Sequence, residues 1–349
     1  ARASLRAGAL KMLASTGDFG PSLDLALDKK SPAELRREAL KQLFAHQPDR
    51  AITAAATALK EADTTTKQLA LSLLASSNDD TVIPQLGFGV FQIPPGDTAE
   101  AVRTALEIGY RHIDTAQMYG NEAGVGQGIR DAGLPRDQVF ITSKLNNGKH
   151  RPDDARRAFD ATLAALGSDY VDLFLIHWPL PTRYDGDFVS TWNVLEEFAA
   201  QGRARSIGVS NFTAAQLDTL AAGSATVPSV NQIEVHPQFP NDEVRAYGQA
   251  HGIATEAWSP IAQGRVLADP VITAVAADLG RTPAQVVLRW HIQRGDIVFP
   301  KSVSPQRMRE NFALFDFELD ADRMAAISGL GRGPAGRLGP DPETFDWIP

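Results

Sequence analysis

From about Val82 onward, short apolar runs alternate with amphipathic segments: "LGFGVFQI", "YRHID", "VFITSK", "VDLFLIH", "RSIGVS", "SVNQIEV", "IATEAWS" and "DIVFPKS". These runs are apolar throughout rather than at every second position, which is the signature of strands covered on both faces in a parallel sheet. Eight strands spread over roughly 250 residues match the count and size of a (β/α)8 TIM barrel. A doubly wound open sheet is the alternative. The intervening segments read as helices. In "DTAEAVRTALEIG", Asp97 is the expected N-cap and Gly109 the expected stop.

Residues 1–80 follow a different rhythm. "ALKMLASTGD", "ALKQLFAHQPD" and "LALSLLASSNDD" align beneath one another at a period of about 31 residues. In each unit a helix with apolar residues at helical spacing (Leu35, Ala39, Leu40, Leu43) reaches an Asp, and a second helix such as "AITAAATALKEAD" follows. The pattern resembles HEAT-type helical repeats, so the expected organisation is an all-α repeat segment over 1–80 and a barrel over 81–349. A stack of two and a fraction units is expected to be marginal unaided, and to lean on the rest of the chain.

In such barrels chemistry sits at the C-terminal ends of the strands. Here those ends are polar: Asp114 on the second run, Lys144 on the third, His177 on the fourth, Ser210 and Asn211 on the fifth. Gln232 lies on the sixth, Trp258 and Ser259 on the seventh, Lys301 and Ser302 on the eighth. Each has an ordinary reading. Asp114 alone is a turn cap, Tyr119 a packed loop aromatic, Lys144 a surface lysine and His177 a satisfied strand-end histidine. Four titratable groups from three adjacent strands at one mouth weaken those readings jointly.

Paired with Asp114, the Lys144 cation would lie beside the Tyr119 hydroxyl and lower its pKa, making the phenol a general acid. His177 would orient a substrate carbonyl. The chain has no cysteine, which removes disulfides, thiolate metal sites and a thiol nucleophile. No histidine cluster has metal-ligand spacing, and hydride from a bound cofactor suits the remaining chemistry. Ser210, Asn211 and Gln232 offer partners for a carboxamide, and Trp258 a flat face for a nicotinamide ring. "PKSVSPQRMREN" places Lys301, Ser302 and Arg307 at a strand-to-helix junction suited to a phosphate. A basic surface turn is the alternative there. "GVGQGI" (124–129) follows a loop and lacks GxGxxG spacing, so it is expected to be a small-residue helix face rather than a nucleotide loop.

Residues 1–80 carry 11 Lys+Arg and 10 Asp+Glu, whereas the remainder carries 23 and 32. An acidic barrel without a basic face argues against nucleic acid as the partner. No run is long enough for a membrane span and no signal-peptide pattern opens the chain, so a cytoplasmic location is expected.

Together "LGFGVF", "GYRHIDTAQMYGNE", "ITSKL", "DLFLIHWP", "SIGVSNF", "VNQIEVHP" and "FPKSVSPQRMRENF" resemble, in identity and order, an aldo-keto reductase of the bacterial diketogluconate-reductase-like branch over residues from about 83 to 349. The resemblance implies a TIM barrel that binds NADPH without a Rossmann fold. It also implies a catalytic tetrad of Asp114, Tyr119, Lys144 and His177, with Tyr119 donating the proton. It assigns the carboxamide to Ser210, Asn211 and Gln232, ring stacking to Trp258, and the pyrophosphate to Ser259, Ile261, Gln263 and Gly264. Lys301, Ser302 and Arg307 take the adenosine phosphate, with Glu310 and Asn311 near the adenine. Phe91 and Trp178 line the substrate pocket.

Two departures stand out. The aromatic that commonly follows "KL" is Asn146 here, which implies a more polar pocket. The N-terminal hairpin that plugs the barrel floor in the family is reduced to "VIPQL" behind the helical repeats, as in a fusion or chimera; "IPQL" equally fits the start of a repeat helix. The expected protein is a monomeric NADPH-dependent reductase of aldehydes and ketones, of α-dicarbonyl or keto-sugar type. The alternative is a binding or scaffold protein whose repeats contact a protein partner while the barrel is catalytically weak. A regulatory channel-subunit barrel is a third reading, without a membrane feature to support it.

Overall fold

The computed structural model describes Ala39 and residues 83–349. The repeats expected over 1–80, and the fusion proposed there, lie outside the described residues. The barrel unit comprises Gln85–Ala313 and Leu319–Pro349.

Eight strands form one sheet in sequential order: β1 (Phe88–Gly89), β2 (His112–Asp114), β3 (Phe140–Leu145), β4 (Val171–Ile176), β5 (Ala204–Ser210), β6 (Val230–Glu234), β7 (Ala254–Trp258) and β8 (Ile297–Val298). Every neighbouring pair is parallel. Leu86 bridges Val298 in parallel, with Gly87 N–H donating to the Val298 carbonyl at 2.9 Å and Val298 N–H to Gln85 at 2.9 Å. That seam closes the cylinder and rules out the open doubly wound sheet. Gln85 and Leu86 therefore belong to the barrel seam rather than to a repeat helix. The seam is tight enough to demand glycine: a Cβ on Gly87 would sit 2.6 Å from the Phe299 ring, and one on Gly89 2.8 Å from the Phe299 carbonyl oxygen.

All eight expected runs contain a strand, but the first and last are shorter than their apolar runs. β8 stops at Val298 because Pro300 has no N–H to offer the ladder. Lys301 and Ser302 thus sit on the following loop, not on the strand.

Residues 83–349 contain ten α-helices: α1 (Pro95–Ile108), α2 (Glu122–Asp131), α3 (Pro152–Leu166), α4 (Val189–Ala200), α5 (Ala214–Gly223), α6 (Asp242–His251), α7 (Pro270–Leu279), α8 (Pro283–Arg294), α9 (Pro305–Phe312) and α10 (Ala321–Ser328). α7 and α8 both lie between β7 and β8, one more than strict alternation requires. α1 buries Ala101, Val102, Ala105 and Leu106, a stripe at helical spacing. It begins two residues before the expected cap. Pro95 occupies the first turn, where a missing N–H costs nothing, and the Pro94 carbonyl accepts from Asp97 N–H at 2.9 Å. Asp97 thus lies in the first turn and complements the helix dipole. Gly109 does end the helix, at φ +126°, where a side chain would be strained.

The glycines of 124–129 form a packing face, as expected. A Cβ on Gly126 would lie 2.1 Å from the Leu166 carbonyl oxygen of α3, and one on Gly128 2.5 Å from the Ala99 carbonyl oxygen of α1. Between sheet and helices, Phe159 of α3 stacks on Phe198 of α4 at 4.1 Å and tilts against Phe174 of β4 at 4.6 Å. Burying each such ring contributes about 2 kcal/mol relative to leaving it exposed. Among the described residues no helix is long and apolar enough to cross a membrane.

Candidate active site

The register carries three of the four candidate groups to one end of the barrel. Asp114 closes β2 and pairs with Thr142 of β3; Lys144 lies two residues further along β3, opposite Leu175 of β4; His177 follows the last residue of β4. Lys144 is wholly buried, and its ammonium donates to Asp114 Oδ1 and Oδ2 at 2.8 Å each and to the Thr115 carbonyl at 2.9 Å. The Tyr119 hydroxyl stands 3.4 Å from the same nitrogen. The Tyr119 ring meets His177 edge-on at 5.8 Å.

Tyr119 ends a single 3-10 turn, Gln117–Tyr119, that is fastened on both sides. Gln117 donates to the Ala158 carbonyl at 3.0 Å and to Thr162 at 2.9 Å, and accepts from Asn146 N–H at 2.7 Å. Asn121 donates to the carbonyls of Val90 at 2.9 Å and Ile93 at 3.2 Å, while Thr115 donates to its side-chain oxygen at 2.9 Å. Gly120, at φ +66°, turns the chain between the two anchors. Neither Gln117 nor Asn121 stands out in the sequence, because their partners are backbone groups and threonine hydroxyls that only the fold brings to them.

Burial pushes the Tyr119 phenol above its ordinary value and outweighs the lowering by Lys144, so the depression expected from the lysine alone does not appear. The phenol is therefore protonated at neutral pH. Burial works against the Lys144 ammonium, but Asp114 and the Tyr119 oxygen hold it above the usual lysine value. His177 is driven well below the ordinary histidine value by burial, then by Lys144 and His150. It is a neutral imidazole, with Nδ1 buried and without a hydrogen-bond partner. Together these are a neutral phenol, a fixed cation behind it, and a neutral imidazole beside it.

The residues expected to hold a carboxamide are tied together. Asn211, in the left-handed region at φ +63°, donates to the His177 carbonyl at 2.9 Å and to Ser210 Oγ at 3.0 Å. Its side-chain oxygen accepts from Trp258 Nε1 at 2.8 Å, and Ser210 Oγ donates to the Gln232 carbonyl at 2.8 Å. The Gln232 amide is not free: its nitrogen donates to Asp114 Oδ2 and to Glu256 Oε2, both at 2.8 Å. Only its oxygen remains for a ligand. After β7, Ser259, Ala262, Gln263 and Gly264 all adopt positive φ, and open space lies beside Gly264. Ile261 sits within this turn and is half-buried. Lys301 and Arg307 are exposed around the start of α9, which Ser304 caps; Ser302 and Asn311 are buried, and Glu310 accepts from Gln306 at 2.8 Å.

On the outer rim, exposed Phe91 lies 5.0 Å from the Tyr119 ring, and buried Trp178 lies 4.2 Å from Phe345. Asn146 accepts from Gly148 N–H at 2.8 Å, so its side-chain oxygen caps the following turn. The chain after Gly336 crosses this end of the barrel. Glu234 accepts from the N–H groups of Leu338 at 2.6 Å and Gly339 at 2.9 Å, and Asn147 donates to the Trp347 carbonyl at 3.0 Å.

A model of the Aldo/keto reductase family matches residues 84–332. The chain belongs to the aldo/keto reductase family. An aldo-keto reductase of Mycolicibacterium smegmatis is 52% identical over 270 residues, which cover 77% of this chain and 97% of that protein. The methylglyoxal reductase DkgA of Yersinia pestis is 47% identical over 270 residues, 76% of this chain and 95% of that one. Among solved structures, a mutant of Gox0644 in complex with NADPH has a TM-score of 0.73 at 45% identity, covering 76% of this chain and 95% of that chain. In this family member the lysine, acid, phenol and imidazole come together at one end of the barrel.

Proposed function

We propose that this aldo/keto reductase is an NADPH-dependent reductase of aldehydes and ketones, with α-dicarbonyls or keto-sugars as its substrate class and Tyr119 as the proton donor. One observation carries the reading: a fully buried lysine, bound through both oxygens of Asp114, stands 3.4 Å behind a phenol that remains protonated. A buried ammonium is expensive unless it is used or paired. Here it is paired on one side, and its other side faces the phenol oxygen where charge develops as the proton leaves.

The residues present fit the cofactor. The Gln232 amide oxygen with Ser210 and Asn211 would take a carboxamide and Trp258 would pack on the ring. The Ser259–Gly264 turn, including Ile261 and Gln263, would follow the pyrophosphate. Lys301, Ser302 and Arg307 would take the phosphate, with Glu310 and Asn311 at the adenine. Bound NADPH supplies hydride to the carbonyl carbon. His177 donates its single N–H to the carbonyl oxygen and fixes its direction, and Tyr119 passes its proton to the same oxygen as negative charge gathers there. Lys144 stabilises the phenolate that remains, and Asp114 keeps Lys144 charged and in place. Phe91 and Trp178 flank the approach.

Support for the substrate class comes from the methylglyoxal reductase relative and from Asn146, which replaces an aromatic with a polar turn. The test is NADPH consumption with a panel of simple aldehydes, α-dicarbonyls and keto-sugars, alongside cofactor binding followed by tryptophan fluorescence. Turnover fastest on the dicarbonyls or keto-sugars is expected. Cofactor binding without turnover on any carbonyl would overturn the reading.

A further inference from the structure

The interior of the barrel holds a second acid for which the reaction above has no role. Glu256, in the middle of β7, is completely buried, opposite Gln232 of β6 on one side and Ile297 of β8 on the other. The Gln232 amide nitrogen spans the two acids, giving one N–H to Asp114 Oδ2 and the other to Glu256 Oε2. The acids are otherwise treated unequally. Asp114 also receives Lys144 on both oxygens, whereas Glu256 has that single neutral donor and its Oε1 is buried with no hydrogen-bond partner.

The charged groups facing Glu256 are Asp114 from β2 and Lys144 from β3; β6 presents the neutral Gln232, and β8 the apolar Ile297. One cation is thus shared by two acids, and Asp114 holds it. A carboxylate solvated by one amide N–H in a dry interior is disfavoured, so Glu256 keeps its proton at neutral pH. Burial, followed by the Asp114 charge, pushes it up to about 8. Two carboxyl groups joined by one amide and given such unequal partners mark a divided electrostatic task.

We propose that Glu256, acting through Gln232, is a positioning residue that sets how tightly the site holds NADP+ relative to NADPH. This rests on the reading of Gln232 as the carboxamide partner. With both Gln232 N–H groups spent on carboxyl groups, its oxygen is the atom left facing the ligand. Ionising Glu256 then places a negative charge one hydrogen bond behind that contact. An oxidised nicotinamide ring carries a positive charge and a reduced ring does not, so the two cofactor forms respond unequally. Protonated Glu256 favours the reduced form and eases departure of the oxidised product; ionised Glu256 retains it.

The test is to measure Kd for NADPH and for NADP+ by fluorescence from about pH 6 to about pH 9.5, which brackets the Glu256 titration. Taking the ratio removes titrations common to both forms, such as that of the cofactor phosphate. In the unaltered protein the preference for NADP+ should rise about tenfold, with a midpoint near 8. That midpoint is below the range of the Tyr119 phenol, which is raised above 10.0. In Glu256→Gln, whose neutral amide mimics the protonated acid, the ratio should stay flat. A flat ratio in the unaltered protein, or the same rise in Glu256→Gln, overturns the inference while leaving the cofactor reading intact. Failure to bind either form removes both. An infrared pH titration gives a second readout: a protonated-carboxyl band present at neutral pH and lost with a midpoint near 8 is expected, and its absence at neutral pH would equally overturn the proposal.

Discussion

Replacing Lys144 by Met removes the one cation from a buried cluster and separates the effects of pairing from those of chemistry. The Asp114 carboxylate would keep only the Gln232 N–H and stand as an uncompensated charge, a loss of about 3–5 kcal/mol in stability. Asp114→Asn strands the ammonium instead and costs a similar amount. Because each single variant leaves an unpaired charge that the double variant does not, Asp114→Asn/Lys144→Met should recover at least about 2 kcal/mol over the sum of the singles. For the chemistry, a unit charge 3.4 Å from the phenol oxygen interacts with a full phenolate by at most about 5 kcal/mol at an effective dielectric near 20. Only part of that charge has developed at the barrier, so turnover should fall at least about a hundredfold in Lys144→Met. Unlike stability, it should not return in the double variant. Urea unfolding of the four proteins gives the coupling, and steady-state rates give the second half. Additive destabilisation, or a double variant that regains turnover, would refute the reasoning.

Two further outcomes follow from packing and burial. Gly126→Ala places a methyl 2.1 Å from the Leu166 carbonyl oxygen, so α2 must shift from α3 at a cost of about 1–3 kcal/mol, read as a lowered urea midpoint with kcat little changed. His150 is buried, stacks on Tyr184 at 5.1 Å, and is lowered by burial to about 4 from 6.5. Its folded-state value lies below the unfolded one, so the unfolded chain binds the proton first and stability drains away as pH falls from 6.5 towards 4. His150→Phe keeps the stacking and should lose up to about 3 kcal/mol less than the unaltered protein across that window. Parallel thermal-melt curves for the two proteins over the same window would count against it.

The strands were legible because a barrel covered on both faces needs apolar runs, and "VDLFLIH" or "VFITSK" has no other economical reading. Asp114, Lys144 and His177 were legible for the same reason, as polar residues ending runs that have to be buried. Their strand order then brings them together. What the sequence hid depends on burial and on partners distant along the chain. The phenol of Tyr119 was expected to be lowered because the lysine could be counted from the sequence, whereas the opposing cost of burial could not. Glu256 is inconspicuous inside "IATEAWS" although an acid in a buried run is as odd as Lys144; its partner Gln232 lies on another strand. The early end of β8 was readable in Pro300. Gln117 and Asn121 were not, since loop amides are common and only the fold reveals which carbonyls they grip.

The most direct measurement is turnover of Tyr119→Phe on whichever carbonyl the unaltered protein reduces best, with NADPH affinity measured on the same sample. The account predicts kcat reduced by at least about a hundredfold with NADPH affinity changed less than about threefold, because the phenol oxygen is lost and the ring that packs beside Phe91 and His177 is kept. Turnover close to that of the unaltered protein would contradict it and take the proton donor away from Tyr119.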